Sequence, residues 1–139
     1  MTPDRDHLLQ FARGYAAAWC SQDPSSVAEH YAPEGSLTIN GGPPAVGRVA
    51  ITEAARGFMI ALPDLEVLMD DLLVQDGGIE FHWTFTGTNT GPGGTGKRVR
   101  ITGFEEWTIG ADGLIAESQG HYDQAEYDRQ LEHGVEGPR

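Results

Sequence analysis

The chain has 139 residues, a length typical of one domain that buries a single hydrophobic core without disulfides or a structural metal. Its formal net charge of -12 at pH 7 repels phosphate backbones, which argues against nucleic acid as a partner. A single cysteine, Cys20, excludes an internal disulfide, so we expect a reducing cytoplasm and, from the helical pattern around it, a buried and inert thiol.

No segment indicates export or membrane insertion. Residues 4–7 are charged or titratable, and no basic region followed by an apolar core is present, unlike in a signal peptide. No stretch approaches the roughly 20 apolar residues that a membrane span needs. We therefore expect a cytoplasmic protein with no membrane partner.

The first 31 residues have helical periodicity. Apolar side chains recur at helical spacing over residues 3–21, which predicts an amphipathic helix with Tyr15 and Trp19 on its apolar stripe. Asp23 followed by Pro24 is typical of an N-cap and a first helical position, and predicts a second, short helix that ends near residue 31.

A strand and a third helix come next. Residues 36–40 alternate polar and apolar side chains, which predicts a short strand that ends at Asn40, before a Gly-Gly-Pro-Pro loop. A further helical stripe, with Phe58 on it, covers residues 49–62 and ends at Pro63.

After Pro63 the apolar period changes from helical to two. We predict a strand over residues 65–75 with a bulge at Asp70-Asp71, and a hairpin turn at residues 76–78. Three further strands follow, at about 79–86, 98–109 and 116–122, and then a terminal helix.

Helices before a strand meander indicate an α+β fold, with one curved antiparallel sheet that helices cover on one face. We predict a pocket between this sheet and the helices at residues 3–21 and 49–62. The sequence shows no repeat and no linker, so residues 1–139 are interpreted as one domain with no second unit.

Residues 101–127 hold the most informative side chains. Alternation along a strand puts Glu105 and Trp107 on one side, and Ser118 and Tyr122 on one side of the next strand. A carboxyl, an indole and hydroxyls among apolar residues are typical of a small-molecule cavity. A structural network around Glu105 is the alternative.

His82 is the second candidate. The hairpin joining strands 79–86 and 98–109 places residue 82 opposite about 103–104, so we expect Glu105 as its diagonal neighbour. A His-Glu pair in an apolar cavity has shifted pKa values and can act as a general acid and base near neutral pH. A structural histidine is equally compatible with the pattern.

If His82 and Thr84 face the cavity, Phe81, Trp83 and Phe85 face outward. Three exposed aromatic rings would form a large apolar patch. We therefore predict a homodimer through the outer face of the sheet.

Two features could suggest a nucleotide site or a metal site, but the surrounding sequence does not support either. Residues 91–97 fit the start of a phosphate-binding loop, but Arg98 replaces the serine or threonine that holds magnesium, and a strand pattern follows where a helix is required. A hairpin loop is the better interpretation. The 5 histidines form no close pair, and His121 with Asp123 supplies too few ligands, so we expect no metal and no cofactor.

The chain resembles the SnoaL-like polyketide cyclases, of the superfamily that includes ketosteroid isomerase and the nuclear transport factor. The likeness covers about residues 6–132 and depends on the element order and four segments. These segments are Gly87-Thr-Asn-Thr-Gly91, Asp112-Gly-Leu-Ile115, Glu117 with Asp123, and Tyr127-Asp-Arg-Gln-Leu131. The resemblance implies a cone-shaped barrel around a deep hydrophobic pocket, in a dimer that works without metal or organic cofactor.

The resemblance carries over to individual residues unevenly. It places the cyclases' acid-base aspartate at Gly120, and the isomerases' oxyanion-hole aspartate and tyrosine at Glu105 and near Tyr15. The isomerases' base falls on Ile39, beside Asn40. The scaffold is thus retained, while neither known mechanism is fully present.

The leading hypothesis is a cyclase or isomerase that enolises a hydrophobic carbonyl compound, such as a polyketide or a steroid-like ester. His82 would move the proton, and Glu105 with Tyr15 would stabilise the enolate oxygen. The predicted substrate contacts are Trp19, Asn40, Phe58, Trp107, Ser118 and Tyr122. The alternative is a non-catalytic small-molecule-binding or dimerisation module of the same fold.

Overall fold

The computed structural model describes residues 5–75 and 78–135, and the predicted turn residues 76 and 77 lie outside this part. The helices are α1 (Arg5–Cys20), α2 (Pro24–Ala28), α3 (Arg48–Ala61) and α4 (Gln124–His133). The strands are β1 (Tyr31–Ile39), β2 (Ala45–Val46), β3 (Glu66–Gln75), β4 (Gly78–Thr88), β5 (Arg98–Ile109) and β6 (Ile115–His121). The predicted α+β class is confirmed. None of the described helices is both long and apolar enough to cross a membrane.

The helices begin and end largely where the sequence predicts. The buried residues of α1 recur at helical spacing and include Tyr15 and Trp19. The Asp23 carboxylate accepts a hydrogen bond from the Ser25 backbone N–H at 3.1 Å and so caps α2. This helix is shorter than predicted because β1 already begins at Tyr31.

The six strands form one curved sheet in the order β2-β1-β6-β5-β4-β3. The antiparallel meander of β3 to β6 is confirmed. The sheet is mixed rather than wholly antiparallel, because β1 pairs with β6 in parallel. These two strands lie far apart in sequence, so no local turn signal reveals their relative direction. β2 and β3 are edge strands, and the sheet wraps around the helices without closing into a barrel.

The pairing register explains which side chains share a face. The register between β3 and β4 shifts between Met69 and Asp71, which confirms the predicted bulge. His82 pairs with Phe104, within the predicted range, but Phe81 is the residue that pairs with Glu105. Directly opposite residues point to the same face, so Glu105 shares its face with Phe81 and not with His82.

The aromatic residues of β4 point inward, and the prediction that they form an outer patch is wrong. Phe81, Trp83 and Phe85 are 0%, 7% and 6% exposed. The ring of Phe81 packs edge-on against Tyr15 of α1, and that of Phe85 against Phe58 of α3. The large apolar rings thus take the helix-covered face, because burial there removes the most apolar surface from water.

The expectation of a buried Cys20 and the interpretation of residues 91–97 as a hairpin loop have different outcomes. Cys20 is exposed, not buried, since it ends α1, and its thiol hydrogen-bonds to the Val67 backbone. Residues 89–97 connect β4 to β5, and the Asn89 N–H donates to the Lys97 carbonyl at 2.9 Å. The motif that resembles a phosphate-binding loop is therefore a hairpin connection followed by a strand.

Candidate functional site

A cavity of ≈ 60 Å³ lies between the inner face of the sheet and the helices. Its wall is largely aromatic and aliphatic, and Glu105 is the one acidic residue in it. Lys, Arg and His are absent from the described residues that form this wall. The lining residues are Trp19, Leu37, Ile39, Phe58, Leu65, Val67, Trp83, Phe85, Glu105, Gly120 and Tyr122.

Glu105 is buried in the middle of β5, with 7% of its surface exposed. Three side chains donate hydrogen bonds to its Oε1 atom. Ser118 Oγ donates at 2.7 Å, Tyr15 Oη at 2.9 Å and Trp107 Nε1 at 3.0 Å. The carboxyl is therefore held in one orientation by α1, β5 and β6 together.

A second tyrosine extends this network. The hydroxyls of Tyr15 and Tyr31 lie 2.8 Å apart, and both residues are 0% exposed. Because the proton of Tyr15 is donated to Glu105, Tyr31 must be the donor to Tyr15. The chain of donors from Tyr31 through Tyr15 to Oε1 further restrains the orientation of the Glu105 carboxyl group.

Burial sets the electrostatics of the site. Desolvation raises the pKa of Glu105, and the hydrogen bonds from Ser118, Trp107 and Tyr15 oppose that rise in part. Burial, and then the charge of Glu105, raises the pKa of Tyr15 well above its ordinary value, so this phenol keeps its proton. Burial likewise raises the pKa of Tyr31.

The network assigns different roles to the two carboxyl oxygens. Oε1 accepts three hydrogen bonds and is committed as an acceptor. Oε2 is then the oxygen that carries the proton in the neutral acid and offers a lone pair in the carboxylate. A buried carboxyl at a cavity wall with one oxygen held in this way can accept and return a proton.

The predicted pairing of His82 with Glu105 is wrong. His82 points to the outer face, where its Nε2 lies 3.0 Å from Glu80 Oε1 and its ring stacks on Phe104. The two residues are on opposite faces of the sheet because His82 pairs with Phe104 in the register. His82 is therefore not among the described residues that line the cavity.

The other predicted site residues fall into three groups. Trp19, Phe58 and Tyr122, for which substrate contacts are predicted, line the cavity. Tyr15, Trp107 and Ser118 are not among the lining residues, and each donates a hydrogen bond to Glu105. Asn40 lies outside the cavity, and its Oδ1 accepts the Tyr122 backbone N–H at 2.8 Å.

Sequence reasoning missed several wall residues. Trp83 and Phe85 line the cavity on β4, and Gly120 lies opposite Glu105 on β6. The remaining additions are Leu37, Ile39, Leu65 and Val67. A signal for the β4 residues was present, because a register that sets residue 82 against 104 puts the odd-numbered aromatic residues on the side of Glu105.

The described residues contain no group of three or more His, Cys, Asp or Glu side chains placed to hold a metal ion. Four of the lining residues, Trp19, Trp83, Glu105 and Tyr122, carry polar side-chain groups, and the N–H of Trp83 is buried without a hydrogen-bond partner among the described residues. The arrangement can hold an apolar compound beside an acid-base group.

The curved sheet with helices on its inner face has the ketosteroid isomerase-like α+β fold. A protein with this fold from Catenulispora acidiphila DSM 44928 is 15% identical, with a TM-score of 0.77 over 88% of this chain and 92% of that one. AusH from Aspergillus nidulans is 17% identical, with a TM-score of 0.76 over 97% and 95%. These two likenesses concern the fold alone.

TsrD from Streptomyces laurentii is 26% identical, with a TM-score of 0.80 over 94% of this chain and 98% of that one. A comparison with curated proteins finds no match. The SnoaL-like polyketide cyclase family matches residues 9–131. The chain belongs to this family.

Proposed function

We propose that this protein is a cofactor-independent cyclase or isomerase that enolises a small, neutral, hydrophobic carbonyl compound. The observation that carries the proposal is the buried carboxyl of Glu105 at the wall of an aromatic cavity, with its Oε1 held by three donors. Burial raises the pKa of this group above its ordinary value, the direction that suits a carboxyl to general acid-base work.

The proposed step is a proton transfer. The Glu105 carboxylate removes a proton from the carbon next to the substrate carbonyl, and an O–H bond forms at Oε2 as the C–H bond breaks. The electron pair moves into a carbon–carbon double bond, and the carbonyl oxygen takes the negative charge. Return of the proton to another carbon gives an isomer. Attack of the enolate carbon on a second carbonyl of the same molecule closes a ring, and Glu105 then protonates the new alkoxide.

The cavity wall supports a neutral substrate. None of the described lining residues is Lys, Arg or His, so an anionic group would enter without a charge partner and next to an acid. The ring of Phe58 contacts those of Trp19 and Phe85 along the wall, and these rings favour an apolar body. Membership of a polyketide cyclase family is consistent with a carbonyl compound.

The size of the cavity favours a narrow substrate. At ≈ 60 Å³ the space is far below the roughly 300 Å³ of a typical ligand pocket. A polycyclic substrate requires movement of the wall, and Phe58 and Tyr122 are the half-buried rings that can move. A compound with a single ring needs the smallest adjustment.

The proposal is tested by hydrogen exchange of a simple ketone. Acetophenone is incubated with the protein in D₂O, and loss of its methyl proton signal is followed by NMR, since enolisation is the step that exchanges these protons. We expect the wild type to accelerate exchange and Glu105→Gln to lower the rate by about 10²-fold or more.

Glu106→Gln is the matched control. Glu106 is the next residue on β5, but it points outward and lies 2.7 Å from His121 Nε2. We expect this variant to exchange acetophenone at the rate of the wild type. Equal rates for Glu105→Gln and the wild type would refute the proposal.

The second candidate is a binding module of the same fold. The observation in its favour is that three protein donors already satisfy Oε1 of Glu105, as in a structural carboxyl. Binding of acetophenone by the wild type without any acceleration of exchange would support this module over the enzyme.

A further inference from the structure

Trp83 carries an unpaired hydrogen-bond donor. Its Nε1 atom is buried and has no hydrogen-bond partner in the part of the chain that the structure describes. Buried polar groups are paired in the great majority of cases, because an unpaired one loses its bond to water without replacement. The N–H of Trp107, which is also buried, donates to Glu105 and shows the usual arrangement.

The indole of Trp83 belongs to the wall of the cavity. Trp83 pairs with Gly103, and Glu105 lies two residues further along β5 on the same face. Such diagonal neighbours are about 7–8 Å apart along the sheet, within reach of a shared ligand. The indole can lie across β5 because Gly103 has no side chain, since a Cβ there would be 2.8 Å from Trp83 Cη2.

The Trp83 N–H is covered by surrounding residues, so a ligand reaches it only when a neighbouring ring moves, and Tyr122 is the partly exposed ring beside Trp83. Its ring meets that of Trp83 with centroids 6.0 Å apart, and it is half-buried. The Tyr122 hydroxyl donates a hydrogen bond to Gln124 Oε1 at 3.1 Å on the exposed side. A ligand that widens the cavity of ≈ 60 Å³ therefore meets least resistance at this ring.

We propose that the Trp83 N–H donates a hydrogen bond to the carbonyl oxygen of the bound compound. The inference rests on the proposed function and adds to it the group that stabilises the enolate. As Glu105 removes the proton, negative charge develops on the carbonyl oxygen and strengthens the hydrogen bond from the indole. No proton leaves Trp83, which acts as a fixed donor while Glu105 moves the proton.

The donor also defines the ligand class. A compound with a carbonyl oxygen pairs the indole N–H, whereas a hydrocarbon of the same shape leaves it unpaired. Sites with a buried donor discriminate against ligands that lack the acceptor for this reason. The preferred ligands are thus neutral ketones or esters rather than hydrocarbons.

The test compares acetophenone with α-methylstyrene, which has a CH₂ group in place of the carbonyl oxygen. We expect the wild type to bind acetophenone about threefold to tenfold more tightly, the range for one neutral hydrogen bond. In a proton–nitrogen correlation spectrum, acetophenone should shift the indole N–H proton of Trp83 downfield. The hydrocarbon should not.

Trp83→Phe keeps an aromatic ring but removes the N–H. We expect this variant to bind the two probes equally and to exchange acetophenone about 10²-fold more slowly than the wild type. Phe104→Leu is the control, because it removes an aromatic ring from the outer face of the sheet, away from the cavity, and should leave the preference for the ketone intact. The spectrum of the wild type tests the proposal even if Trp83→Phe does not fold.

The outcomes separate this inference from the proposed function. A Trp83 N–H that does not respond to bound acetophenone, or a Trp83→Phe variant that still prefers the ketone, would overturn the donor while leaving the role of Glu105 in exchange intact. Wild type that binds the ketone through Trp83 without exchanging its protons would establish the donor and refute the enzyme. Failure of both probes to bind would contradict both proposals.

Discussion

Two adjacent glutamates of β5 show how one residue step changes the chemistry of a side chain. Glu105 points inward and is buried among three donors, whereas Glu106 points outward and pairs with His121. The difference follows from the period of two along a strand. Burial then raises the pKa of Glu105, so its carboxyl binds a proton more tightly in the folded protein than in the unfolded chain.

The raised pKa of Glu105 makes stability depend on pH. The folded state binds this proton more tightly than the unfolded state, so the contribution is fully present below the ordinary pKa of glutamate. It is lost as pH rises through the higher pKa of the folded state. We predict that the difference in unfolding free energy between Glu105→Gln and the wild type shifts in favour of the variant over this pH range.

The measurement is urea denaturation of both proteins at a series of pH values. Glutamine resembles the neutral acid, since its carbonyl oxygen can accept the three hydrogen bonds of Oε1. Glu106→Gln serves as the control and should follow the wild type, because Glu106 is exposed. A difference between Glu105→Gln and the wild type that is constant with pH would contradict the prediction.

At the scale of elements, β5 organises the site. Gly103, Glu105 and Trp107 alternate on its inner face and supply, in turn, space for the Trp83 indole, the carboxyl and one of its donors. Position 103 requires glycine because there is no room for a side chain. A Cβ at this position would lie 2.4 Å from the His121 carbonyl oxygen and 2.8 Å from the Trp83 ring.

We therefore predict that Gly103→Ala destabilises the protein by about 1–3 kcal/mol, the usual cost of overpacking. Gly120→Ala, on the adjacent strand, is the comparison. Its Cβ would meet the nearest atoms of Glu105 and Thr38 at 3.6 Å, an ordinary contact distance. Chemical denaturation should show little change for this second variant, and equal losses for the two would rule out the packing argument.

At the scale of the whole molecule, the surplus of negative charge is the main electrostatic feature. The formal charge is -12, while the arginine ion pairs of the described residues include exposed ones such as Arg56–Glu53 and Arg98–Asp64. Exposed pairs contribute little to stability, about 0–1 kcal/mol each. Repulsion among the unpaired carboxylates therefore outweighs them and destabilises the compact state.

We predict that the unfolding free energy rises when NaCl is increased from about 0.01 M to about 0.5 M, because the screening length falls from about 30 Å to a few ångströms. Urea is the suitable denaturant, since it adds no ions. KCl at the same concentrations should give the same increase if screening is the cause. A decrease with either salt would mean that ion pairs dominate the balance.

The homodimer was predicted from an exposed aromatic patch on the outer face of the sheet. That patch does not exist, because Phe81, Trp83 and Phe85 are buried against the helices. The outer face instead carries the stacked rings of His82 and Phe104, with glutamates beside them. Dimerisation through this face stays a prediction, which light scattering at micromolar concentration can check.

Much of the architecture was predictable because it depends on local patterns. The helical stripes of α1 and α3, the Asp23 cap and the bulge near Asp70 follow from spacing and local chemistry along short segments. The shared face of Glu105 and Trp107 follows from strand alternation. The family resemblance was also visible in the sequence, and it covers nearly the same residues as the family match at 9–131.

Which side chains form the site depends on contacts between distant elements, and only the tertiary structure decides these contacts. Alternation divides β4 into two sets of side chains but does not say which set the helices cover, and here the helices cover Trp83 rather than His82. The donors to Glu105 include Tyr15, 90 positions away in the chain. The sequence by itself thus determined the elements, their faces and the family, since these depend on short-range periodicity. Only the packing of distant elements determined the covered face and the donors of the carboxyl, because these depend on long-range burial.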